Sequence, residues 1–136
     1  MLEARARLLH DRLLSLTTRV TEIRGLVLID PSGLPLVSTL HSHTLEDALG
    51  AWGAEASSQM VKAQEYFEMG PLYLLHLAGR DRQVFVTPLT PDVSLLAIAD
   101  AGATASTVTL HLLGLCREIL AVLLTGEASG EGESPP

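Results

Sequence analysis

The hydrophobic period of the chain changes abruptly around Gly25, and that change limits the possible folds more than any other feature. Before it, Leu2, Ala6, Leu9, Leu13, Leu16, Val20 and Ile23 recur at alternating steps of four and three. Such spacing puts them on one stripe of a helix, with Glu3, Arg5, Arg7, Asp11, Arg12, Arg19 and Glu22 in the other positions. After Gly25, Leu26–Ile29 is a continuous apolar run, which predicts a strand buried on both faces. Asp30-Pro31-Ser32-Gly33 has the residue chemistry of a type I turn. Leu34–Thr39 then returns as a second strand. Its Pro35 has no N–H to donate, so this strand belongs at a sheet edge. The expected opening unit is a helix stopped by Gly25 that feeds a β-hairpin.

The rest of the chain continues the alternation of helix and strand. His41-Ser42-His43 reads as a loop, and Thr44 as an N-cap with Asp47 three residues on. A second helix is expected from about Leu45 to Phe67, with Leu45, Leu49, Trp52, Ala56, Met60, Ala63 and Phe67 as its apolar stripe. A parallel line of Gly50, Ala54, Ser57 and Val61 is small rather than polar, which lets another backbone approach closely. Gly50 and Gly53 each cost about 1 kcal/mol of helix propensity, which implies a packing reason for both. Gly70-Pro71 punctuates the chain. Strands are expected at Leu72–Leu77, Val84–Leu89 and Val93–Ala99, the last nearly all apolar and therefore central. A final helix over Ala103–Leu124 should pack Ala105, Val108, Leu112, Cys116, Ile119 and Leu123 on the sheet. Leu110, Leu113, Leu120 and Leu124 lie partly off that stripe and imply a second contact, most simply with the first helix. From Thr125 the composition shifts to Gly, Glu, Ser and Pro, which predicts a disordered tail dispensable for folding. The expectation is an α/β domain over residues 1–124 and a tail over 125–136.

Composition narrows the function. Hydrophobic residues make up 47% of the 136, enough for a core of ordinary size. The formal net charge is −7, and setting aside Glu127, Glu131 and Glu133 of the tail leaves −4 on the body. An acidic body argues against nucleic acid and against an anionic membrane surface, both of which need clustered Lys and Arg. Cys116 is the one cysteine, so no internal disulfide forms, in keeping with a reducing compartment. The N-terminal segment lacks the uninterrupted apolar region of a signal peptide, and no apolar run approaches the roughly 20 residues that span a bilayer. A cytoplasmic protein without membrane insertion is expected.

The usual constellations of chemistry are missing. The glycines form neither G-x-x-x-x-G-K-S/T nor G-x-G-x-x-G after a strand, so no phosphate loop is read. Cys116 lies mid-helix on an apolar face, where cysteine is core packing. His41 and His43 supply fewer ligands than a metal site needs, and His10, His76 and His111 fall on separate elements. Asp30 is read as a turn former, and Ser32 has no evident His partner. Arg80 and Arg82 flank a hairpin tip and are read as solvated charges rather than an arginine finger. No catalytic, cofactor-binding or metal-ligating residue is assigned.

The segment Val20-Thr-Glu-Ile-Arg-Gly25-Leu-Val-Leu-Ile-Asp30-Pro-Ser-Gly33-Leu-Pro-Leu-Val-Ser38 resembles the opening signature of the Roadblock family of dynein light chains and bacterial GTPase regulators. The order of elements agrees over residues 1 to about 124. The resemblance implies a profilin-like fold: a five-stranded antiparallel sheet with the first and last helices on one face and the second on the other. It also implies homodimers that pair through the second helix and third strand, and a small Ras-like GTPase as partner. On that basis Gly50, Ala54, Ser57, Val61, Leu72, Tyr73, Leu74 and Leu75 are candidates for the dimer interface, and Glu55, Gln59 and Lys62 for the partner surface. The expected function is a non-enzymatic regulator or scaffold of such a GTPase. The alternatives are a structural adaptor in a motor or signalling assembly and, further off, a small-molecule sensor.

Overall fold

The computed structural model describes residues 2–125; the tail, apart from Thr125, falls outside the described residues. The elements run α1 (Leu2–Arg19), β1 (Ile23–Ile29), β2 (Pro35–Ser38), α2 (His43–Tyr66), β3 (Leu75–Ala78), β4 (Arg82–Thr90), β5 (Val93–Asp100) and α3 (Ala105–Thr125). The strands form one sheet in the order β2-β1-β5-β4-β3, and every neighbouring pair is antiparallel. β5, the most apolar strand, takes the centre. β2 takes one edge, where the missing N–H of Pro35 costs no ladder bond. β3 takes the other.

Alternation along the strands builds two cores. Ile23, Leu26, Leu28, Phe85, Leu95 and Ala97 face one side and pack with α1 and α3. Val27, Ile29, Val86, Leu96 and Ile98 face the other and pack with Leu49, Ala56 and Met60 of α2. This is the expected layering of two helices on one face and one on the other.

Local expectations were corrected in several places. α1 ends at Arg19 rather than at Gly25, and Ile23 continues the apolar spacing as a strand residue. Gly25 is small because the Leu40 side chain lies over it; a Cβ there would overlap Leu40 Cδ2. The cap of α2 is Ser42, whose Oγ accepts from Leu45 N–H at 3.1 Å, and Thr44 is already inside the helix. Phe67, expected on the buried stripe, is 70% exposed, because the helix has ended there. On α3, Leu115 and Val122 join the buried face. Leu110 and Leu124, expected to meet α1, are 72% and 76% exposed. They project away from the buried Ile119 side of the helix. α3 is also long and apolar enough, by length and composition, to cross a membrane, contrary to the reading of its sequence; its Val108–Leu112–Ile119 stripe instead closes the sheet.

The β1–β2 turn sets the position of α2. Asp30 O accepts from Gly33 N–H at 2.9 Å, and Asp30 Oδ1 accepts from Ser32 Oγ at 2.6 Å and Leu34 N–H at 3.0 Å. The hydroxyl bond from Ser32, followed by the Leu34 N–H, holds the Asp30 carboxyl below the usual range. Gly33 has φ +89°, where other residues are strained. Its carbonyl abuts Gly50 of α2 so closely that a Cβ on either glycine would overlap the other's backbone. Gly53 lies against the ends of Leu96 and Ile29. The packing reason inferred for both glycines therefore lies within the chain itself.

Candidate interaction surface at the end of α2 and the β3 edge

α2 presents two kinds of surface. Gly50, Gly53, Ala56 and Met60 turn inward. Glu55, Gln59 and Lys62 are all exposed. Tyr66, at the next helical step, is 75% exposed and continues their stripe. It carries the large aromatic surface that interfaces favour, and sequence reasoning overlooked it.

The helix ends in a Schellman arrangement. Met69 N–H bonds Gln64 O at 3.1 Å, and Glu68 N–H reaches Glu65 O at 3.4 Å. The left-handed position of this motif usually holds glycine; here it is Glu68, with φ 52°. Gln64 Oε1 then accepts from Leu72 N–H at 2.7 Å. That bond, together with Gly70 at φ +74° and Pro71, keeps residues 72–74 out of the sheet. β3 therefore starts at Leu75, later than the expected Leu72. The apolar run is divided: Leu72 and Leu75 pack on the α2 side and Leu74 on the α1/α3 side.

Several large apolar side chains remain outside. Val61, Phe67, Met69, Tyr73 and Leu77 are 57%, 70%, 55%, 66% and 45% exposed, around the end of α2 and along β3. β3 has a neighbour only on its β4 side, so its other edge presents free backbone groups without a lysine or proline in the strand to protect it. Of the candidate interface residues, Val61, Tyr73 and Leu75 lie on this surface. Gly50 is closed off by the β1–β2 turn. Ala54 and Ser57 are half-buried beside a hollow formed with Asp30, Pro31 and the β4–β5 turn.

A polar network that the sequence did not announce holds β3 in place. Gln83, buried at 4% exposure, donates from Nε2 to Ala103 O at 2.8 Å and Asp100 O at 3.0 Å. Its Oε1 is left to accept from His76 Nε2 at 2.6 Å, which puts the proton on that nitrogen. The His76 ring stacks on Phe85 at 4.4 Å. The edge strand is thereby tied to the β5–α3 junction.

Among the described residues no group of three or more His, Cys, Asp or Glu could hold a metal ion. Burial pushes the Cys116 thiol up to about 11. At pH 7 it is protonated and a poor nucleophile, so iodoacetamide should modify it in the folded protein far more slowly than after denaturation. Equal rates in the two states would contradict this burial.

With this geometry in place, the comparisons are specific about fold. A family model for the Roadblock/LC7 domain matches residues 9–99, which run from within α1 to the penultimate residue of β5. A Roadblock/LC7 domain from Streptomyces avermitilis superposes with a TM-score of 0.78 at 18% identity, covering 85% of this chain and 97% of that one. Myxococcus xanthus MglB gives 0.80 at 14% identity, covering 93% and 95%. The gliding protein MglB from Thermus thermophilus gives 0.70 at 16% identity, covering 84% and 90%. No curated protein sequence matches the chain. The matched segment spans two-thirds of the sequence and carries all five strands: the chain belongs to the Roadblock/LC7 family.

Proposed function

We propose that the chain is a homodimeric, non-enzymatic regulator or scaffold of a small Ras-like GTPase in the cytoplasm. The observation that carries the reading is the exposed apolar surface formed by the end of α2 and the open edge of β3. A monomer would leave Phe67, Tyr73 and Leu77 in water beside an unprotected strand edge, which invites pairing. Adding a second copy along β3 extends the sheet across a two-fold axis and covers that surface. An isologous interface of about the standard 1,600 Å² is expected.

Family membership and the similarity to MglB support a partner rather than a substrate. The stripe Glu55, Gln59, Lys62 and Tyr66 faces away from the sheet on α2 and supplies a mixed-charge surface with an aromatic residue at its end, which suits a protein partner. Any stimulation of turnover would come from binding one state of the GTPase's switch segments better than the other.

Two experiments test this. A pull-down from native extract, with GTP analogue or GDP present, should retain a P-loop GTPase; recovery of a larger assembly without one would favour a structural adaptor. Arg80 lies on the hairpin tip, bonded among the described residues only to its neighbour Asp81 at 3.3 Å. Arg80→Ala should leave stimulated hydrolysis within a few fold. A loss of about 10³ or more, the effect of removing an arginine finger, would make Arg80 the mechanism and sink the remodelling account.

A further inference from the structure

A hollow of about 410 Å³ opens where the N-terminus of α2 meets the β3–β4 hairpin tip. It shares its hairpin rim with the exposed β3 edge. Its apolar lining is Leu40, Leu45 and Ile98, and its polar lining includes Arg24, Arg82, Asp81 and Asp100. Both carboxylates are already engaged. Asp100 accepts from Arg24 Nε at 2.7 Å and Nη2 at 3.0 Å, and Asp81 from Arg80 Nε at 3.3 Å. Arg82 has no ion-pair partner among the described residues. The positive end of the α2 dipole, at Ser42, adds to its charge. The hollow therefore suits a segment that brings an apolar side chain and one carboxylate together.

The homodimer supplies such a segment, and the inference rests on that reading. A two-fold axis perpendicular to the sheet pairs β3 with its copy antiparallel and keeps both α2 helices on one face. Antiparallel pairing sets the end of β3, Ala78 and the hairpin tip, opposite the start of the partner's β3. The residues that precede that start are the end of α2 and its connection, where Phe67 and Met69 are exposed. Glu68 between them is held at φ 52°, a conformation in which glycine would cost less. Arg82 lies on the α2 side of the sheet, in alternation with Val84 and Val86, the side on which the partner's α2 would arrive.

We propose that this hollow receives the end of α2 from a second copy of the chain, with Phe67 of the partner subunit against the apolar lining and Glu68 of the partner subunit paired with Arg82. The two-fold axis makes the contact twice, so each dimer would contain two such plugs. The hollow is then a part of the interface that sets its register, since a one-residue slip of β3 would pull the plug from its charge.

Charge reversal tests the pairing on the full chain. The dimer dissociation constant is measured by sedimentation equilibrium for wild type, Arg82→Glu, Glu68→Arg and the double variant; both side chains are exposed, and circular dichroism checks the fold. Each single reversal should weaken the dimer at least tenfold, and the double reversal should return to within about threefold of wild type. Phe67→Ala should weaken it without rescue by either. A wild-type dimer whose dissociation constant is unmoved by the single reversals, or a double variant no tighter than the singles, would overturn the plug and leave the dimer standing. A wild type that is monomeric in the same cell would overturn both.

Discussion

Replacing Gly50 by alanine should lower the stability of the fold by about 2 kcal/mol or more, although the same substitution in an open helix position raises it by about 1. The sign reverses because the new Cβ would meet the carbonyl oxygen of Gly33, a backbone atom in a hydrogen-bonded turn with no rotamer to change. The turn is held by the bonds from Ser32, Gly33 and Leu34 to Asp30, so relief has to come from lifting α2 off Ile29 and Leu96. At this chain length the loss corresponds to a fall of about 8 °C or more in melting temperature, measured at fixed protein concentration because self-association would make melting depend on it. Gly114 is the internal control. It sits in α3 with nothing within 4 Å of an added Cβ, so Gly114→Ala should raise the melting temperature by up to about 4 °C. If Gly50→Ala melts at or above wild type, the close approach of α2 to the turn is wrong.

The second large effect concerns association. Leu77→Lys should raise the dimer dissociation constant by at least about 100-fold while leaving the protomer folded. Leu77 is on the edge strand and 45% exposed, so a lysine there finds water in the monomer. In a β3–β3 pair the same ammonium would be buried twice, once from each copy, with no carboxylate in the strand to meet it. An uncompensated buried charge costs several kcal/mol, and each 1.4 kcal/mol is a factor of ten. Edge lysines are also the common natural defence against strand pairing. Sedimentation at micromolar concentration reads the outcome directly, and an unchanged dissociation constant would place the interface elsewhere.

Most of the architecture was legible because the apolar periods are strong. The Leu26–Ile29 run, the Asp30–Gly33 turn and Pro35 on the returning strand located the hairpin and its edge, and Val93–Ala99 located the central strand. The errors came where a local interaction overrode composition. Residues 72–74 look like strand, yet the side chain of Gln64 takes the Leu72 N–H that a ladder would need. Gly25 looks like a helix stop, yet it accommodates Leu40.

The functional surface was less legible. Gly50 belongs to a small-residue line, but nothing in the line says whether a turn, a sheet or a second helix approaches it; the neighbour is the Gly33 turn. Tyr66, Phe67 and Met69 could have been found from one signal, three large apolar side chains clustered where a helix runs out of sheet to cover. The hollow beside Arg82 could not, because it is assembled from the ends of β1, β4 and β5 and the start of α2, which only the fold brings together.

On the proposed function, a pair of these chains, not a single one, is the unit that engages a small GTPase. The most direct measurement is sedimentation equilibrium of the protein mixed with the GTPase recovered from native extract and loaded with a non-hydrolysable GTP analogue. A complex containing two copies of the 14.5 kDa chain is expected. A complex containing a single copy, or no complex at all, would contradict it.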